Sequence, residues 1–148
     1  MTGLAEAMPN MLRHAGEWDG IYRHIAADGS LLDEHRTWTR CEFPQSGAYA
    51  YVQHNRLTWA DGRTLERTLC SSFRDGMLHC ETDRVRGYVW ETREGTVMMR
   101  LDYKLEPGLW FIEMISLSDD ARSRARTWQW FQNGKPLKRT LCDERRIV

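Results

Sequence analysis

Polar and apolar residues change their spacing once along this chain. Over residues 2–14, Leu4, Met8, Met11 and Leu12 recur at helical intervals, and Pro9 is placed to open a second short turn. From about residue 17 the period becomes two and stays two. The alternating runs cover 17–27, 32–43, 48–59, 64–73, 77–82, 87–92, 96–104, 109–117, 125–132 and 136–146. Turn-forming pairs separate them: Asp28-Gly29, Ser46-Gly47 after Pro44, Asp61-Gly62, Asp75-Gly76, Glu94-Gly95, Pro107-Gly108 and Asn133-Gly134. Strands at this rhythm, with almost no helix between them, predict an all-β fold. We expect an antiparallel up-and-down meander barrel of about 8–10 strands with a short N-terminal helix, one domain over residues 1–148.

The run opening at Gly16-Glu17-Trp18-Asp19-Gly20-Ile21-Tyr22 anchors this reading. Trp18, Gly20, Tyr22 and His24 share one face. An indole followed by a residue without a side chain suits a strand bending over the closed end of a barrel, with the glycine letting a neighbour come close. Elsewhere large side chains occupy both faces. Tyr51, Gln53 and Asn55 line one side of their run with Leu57 and Trp59; Arg126, Trp128 and Trp130 line one side of theirs. Rings mixed with amides and an arginine suit a ligand pocket, against the alternative of a packed core whose polar groups satisfy one another.

Zero formal net charge and a pI near 7 provide no field to attract nucleic acid. Only Lys104, Lys135 and Lys138 are lysines among 21 basic residues, so arginine dominates, either as compositional bias or because some guanidiniums are buried and paired. Cys41, Cys70, Cys80 and Cys142 lack CxxC spacing and read as reduced core thiols. Without a signal-like segment or a long apolar run, no membrane contact is expected and the cytoplasm is the expected compartment. His14, His24, His35, His54 and His79 show no metal-ligand spacing, so neither metal nor cofactor is expected. His24 follows Trp18 and Tyr22 on one face and is a candidate general base. Glu113 sits in Phe-Ile-Glu-Met: it points inward beside Phe111 and Ile115, paired with Arg126 or Arg139, or outward into water.

Glycine-x-tryptophan opening the first strand of a meander resembles the calycin superfamily: lipocalins, fatty-acid-binding proteins and their bacterial relatives. In lipocalins that tryptophan packs under an arginine of the last strand, which the resemblance assigns here to Arg139, with Arg145 second. Gly16-x-Trp18-x-Gly20-x-Tyr22, Glu113 and Arg126-Thr127-Trp128 look closest to compact bacterial lipocalin-like proteins near the bilin lyases, which attach tetrapyrroles to phycobiliproteins. The late acid and arginine of those lyases carry over to Glu113 and Arg126. The outer lipocalin motifs and disulfides are missing. The haem-binding relatives use a late histidine, and none follows His79, so the resemblance implies no haem.

Three functions follow. The first is binding of a small, mostly apolar or aromatic molecule with a polar or anionic end: Trp18, Tyr22, Tyr51, Trp90 and Trp128 supply area, while Arg126, Arg139, Gln53 and Asn55 orient it. On that reading Arg126→Ala weakens anionic ligands without unfolding the protein. The second is a metal-free lyase, isomerase or cyclase on an aromatic or polyene substrate, with Glu113 or His24 moving the proton. The third is a protein-interaction module in which exposed tryptophans build a homodimer or partner face.

Overall fold

The computed structural model describes residues 3–148. Thr2, at the start of the expected helical lead-in, lies outside the described residues. The lead-in forms two short turns, α1 (Leu4–Ala7) and a 3-10 turn (Met11–His14). Ten strands follow: β1 (Gly16–Ala26), β2 (Leu31–Glu42), β3 (Tyr51–Thr58), β4 (Thr64–Arg74), β5 (Met77–Glu81), β6 (Val85–Glu91), β7 (Val97–Tyr103), β8 (Leu109–Leu117), β9 (Ser123–Gln132) and β10 (Lys135–Ile147). Each pairs antiparallel with its sequence neighbour, and β1 also pairs with β10, which closes the barrel. The expected run 48–59 is shortened to Tyr51–Thr58 because Gly47 turns the chain in a left-handed conformation and Tyr49 stays at the surface.

Alternation decides what lies inside. Val97, Met99 and Leu101 of β7 and Phe111, Glu113 and Ile115 of β8 are buried, while the residues between them are half-buried or exposed. Met8 and Met11 from the lead-in are buried against one end of the barrel. Glu91 holds that lead-in in place: its carboxylate accepts from the backbone N–H of Asn10 and Met11 and from Asn10 Nδ2 at 2.8–3.3 Å. A carboxylate at the first N–H groups of a turn satisfies donors that would otherwise be orphaned. The free cysteines are buried at Cys41, Cys80 and Cys142 and half-buried at Cys70. No helix among the described residues is long and apolar enough to cross a membrane.

Candidate functional site

The closed end is built on Trp18, which is fully buried and donates from Nε1 to the His14 carbonyl at 3.0 Å. Two guanidiniums lie over its ring, Arg124 at 4.5 Å and Arg146 at 4.4 Å from the centroid. Arg139 and Arg145 do not take that role. Strand β10 places Thr140, Cys142 and Glu144 inside, so the odd-numbered residues Arg139 and Arg145 face solvent. Arg124 is itself fixed by Glu144 through Nε to Oε1 at 2.6 Å and Nη2 to Oε2 at 3.3 Å, a bidentate pair. Glu144 stands directly opposite both Arg124 on β9 and Gly20 on β1. A Cβ at residue 20 would lie 2.5 Å from Glu144 Cγ and 2.8 Å from the Asp143 carbonyl, so the glycine makes room for the buried carboxylate. Burial, reinforced by Arg124, lowers the His14 pKa to about 3, and neutral His14 accepts from Arg124 at Nδ1, 3.2 Å away.

Above this floor the barrel encloses a cavity of about 490 Å³. Met99, Leu101, Phe111, Trp128 and Trp130 form apolar wall, and Gln53 and Asn55 supply amides. Glu113 and Arg126 also line it. Glu113 lies opposite Trp128 across the β8–β9 pair and diagonal to Arg126, whose Nε donates to Glu113 Oε2 at 2.7 Å. Both side chains are almost wholly buried. Burial raises the Glu113 pKa above the ordinary carboxylate range despite the opposing pull of Arg126. Burial by itself would lower Arg126, but Glu113 and the neighbouring acidic groups hold its pKa well above the usual value, so it stays charged. Arg126 Nη1 makes no hydrogen bond; Glu144 Oε2 stands 3.7 Å from it. The Arg126 guanidinium lies 4.7 Å from the Trp128 ring centroid and 5.6 Å from that of Tyr22.

At the open end β1 and β2 bring two histidines together. Trp130 Nε1–H donates to Thr140 Oγ1 at 2.9 Å, which lies 2.8 Å from His24 Nδ1. His24 Nε2 and His35 Nε2 are 3.0 Å apart, and His35 Nδ1 lies 3.3 Å from the Arg36 carbonyl. Thr37 Oγ1 lies 3.0 Å from the same His35 Nδ1, and one proton is shared between the two Nε2 atoms. These contacts form a chain from Trp130 through Thr140, His24 and His35 to the β2 backbone. Burial and the neighbouring imidazole lower the His24 pKa to about 4, and burial lowers that of His35.

The structure sorts the residues singled out from sequence. Tyr22, His24, Gln53, Asn55, Glu113, Arg126 and Trp128 converge on the cavity. Trp18 and Tyr51 are buried but do not line it; the Tyr51 hydroxyl donates to Gln53 Oε1 at 2.8 Å and so supports a wall residue. Trp90 sits on the opposite face from buried Val89, with its ring 5.4 Å from Tyr88, and contributes nothing to the interior. Arg139 is exposed on the outer face. Arg124, Glu144 and His35 were missed. Counting back along both strands from Asp28-Gly29 puts Tyr22 opposite His35, a register signal that would have found the last of them.

Scanned against models of known protein families, the sequence matches none, and no curated protein matches it by sequence. Solved structures do share its fold. The S-type phycobiliprotein lyase CPES of Guillardia theta superposes with a TM-score of 0.73 at 14% identity, covering 93% of this chain and 90% of that one. A protein of unknown function from the DUF3598 family of Nostoc punctiforme superposes with a TM-score of 0.64 at 16% identity; the match covers 93% of this chain and 49% of that one. The fold is thus the lipocalin-like barrel that the glycine-x-tryptophan run and the meander resemble.

Proposed function

We propose that the protein binds one small, largely aromatic molecule inside the barrel, with the anionic end of that molecule directed at Arg126. The observation carrying this reading is the cavity of about 490 Å³, walled by Trp128, Trp130 and Phe111 and containing a buried guanidinium whose Nη1 has no hydrogen-bond acceptor. Ligand sites of this size are mostly apolar with a few polar groups that fix orientation. Arg126 is the charged group of such a set, and Gln53 and Asn55 are the neutral ones. The fold shared with a phycobiliprotein lyase supports a conjugated acid, such as a linear tetrapyrrole, as the ligand class. Native mass spectrometry of the purified protein, with its absorbance spectrum taken before and after denaturation, tests this directly. A bound organic acid released on denaturation supports the reading; a co-purified neutral lipid that fills the cavity would replace it.

A second reading is favoured by Glu113. A buried carboxyl with a raised pKa, inside the cavity and held by Arg126, is suited to deliver a proton to a polyene or aromatic substrate. Turnover with a bell-shaped pH profile that disappears in Glu113→Gln distinguishes catalysis from binding.

A further inference from the structure

We propose that His24, His35 and Asp33 form a site for one divalent transition-metal ion at the mouth of the barrel. The ligand atoms of the three residues lie within 4.8 Å of one another. The two imidazole Nε2 atoms face each other at 3.0 Å. Two nitrogens each bonded at about 2.0–2.1 Å to one ion lie about 2.8–3.4 Å apart for angles between a right angle and the tetrahedral angle, so this edge already has coordination dimensions. The third corner is a carboxylate from the β2 strand that carries His35, and it closes on the ion by side-chain rotation or through a bridging water.

The surrounding groups are those that orient metal ligands. Ligating imidazoles usually donate their second N–H to an oxygen, and ligating carboxylates are themselves hydrogen-bonded. His35 Nδ1 faces the Arg36 carbonyl at 3.3 Å and the Thr37 hydroxyl at 3.0 Å. His24 Nδ1 faces Thr140 Oγ1 at 2.8 Å. Trp59 Nε1 donates to both Asp33 oxygens at 3.0–3.1 Å, and its ring lies 4.8 Å from that of His35. Metal binding holds the proton of each neutral imidazole on Nδ1, facing Thr140 Oγ1 for His24 and the Arg36 carbonyl for His35. Both Nε2 lone pairs then face the ion, and the imidazole pair loses no net proton. Two imidazoles and one carboxylate select Zn²⁺, Ni²⁺ or Co²⁺ over Mg²⁺ and Ca²⁺, which prefer all-oxygen sites. Three protein ligands leave a position open, and because His24 lines the cavity, the ion stands at its edge.

The test is titration of the full chain with Zn²⁺, followed by calorimetry and by the imidazole ¹H–¹⁵N resonances. The proposal predicts one ion per chain, with shifts confined to His24 and His35 while His14, His54 and His79 stay unchanged as internal controls. Asp33→Asn, at the exposed rim, is expected to weaken binding by about 10–100-fold while leaving the thermal melt of the metal-free protein close to wild type. Co²⁺ supplies a second readout, a visible d–d spectrum of nitrogen and oxygen ligation. Failure to bind one equivalent overturns the proposal. So does a Co²⁺–thiolate band, which would place the ion on the free cysteines, or Asp33→Asn affinity equal to wild type. None of these outcomes depends on what occupies the cavity.

Discussion

Removing the Arg126 guanidinium tests both the packing and the chemistry of the interior. Four charged groups are buried together: Arg124 paired with Glu144, and Arg126 paired with Glu113. They cancel, so Arg126→Ala leaves one buried carboxylate without its partner. Breaking a buried pair by removing one partner costs about 3–5 kcal/mol. For a chain of this size that lowers Tm by roughly 6–20 °C, at about 2–4 °C per kcal/mol. To the weaker binding of anionic ligands expected from sequence, the buried pair thus adds a stability cost. Glu113 already has a raised pKa and rises further without its partner. A raised folded-state pKa stabilises below the unfolded value and ceases to do so as pH rises through the folded value, so the deficit narrows as pH falls from 7 toward 5. Urea and thermal melts at both pH values measure this, with Glu113→Gln/Arg126→Gln expected to recover more than half of the loss. A deficit below about 1 kcal/mol at pH 7, typical of an exposed pair, would refute the reasoning.

Three further outcomes are expected. Gly20→Ala pushes a methyl group to 2.5 Å from Glu144 Cγ and should cost about 1–3 kcal/mol in a urea melt. Because His14 is held neutral, with its pKa lowered from 6.5 to about 3, the unfolded chain binds the extra proton. Its share of stability is complete above pH 6.5 and is lost progressively toward pH 3, at up to about 1.4 kcal/mol per pH unit, so His14→Gln should show a shallower acid slope than wild type. Glu91→Gln weakens the anchor of the lead-in and should speed amide hydrogen exchange at Asn10 and Met11 ahead of the barrel strands.

The strands were legible because the turn residues are strong and the period never wavers. Asp-Gly and Asn-Gly pairs place the hairpins within one to three residues of where the structure has them, and Gly-x-Trp-x-Gly orients β1 correctly. The interior charges were harder to read. Lys138-Arg139-Thr140-Leu141-Cys142-Asp143-Glu144-Arg145 carries charge on both faces, so alternation alone does not say which face is buried, and Arg139, expected over Trp18, faces outward. Arg124 was not singled out because its partner lies twenty residues away on the next strand. The His24–His35 contact is invisible to sequence spacing but follows from hairpin register. Trp90 shows the converse limit: a large ring in an alternating run packs on the outside as readily as the inside when a neighbour such as Tyr88 covers it.

The central claim is that the cavity accepts an aromatic molecule through its charge as well as its rings. Calorimetric titration with naphthalene-2-carboxylate beside naphthalene-2-carboxamide, which match in shape and differ in charge, tests it most directly. The account predicts that the acid binds one per chain and at least about ten-fold tighter than the amide, a difference of about 1.4 kcal/mol, with quenching of the fluorescence of Trp128 and Trp130. Equal affinity for the two, or tighter binding of the amide, would contradict it.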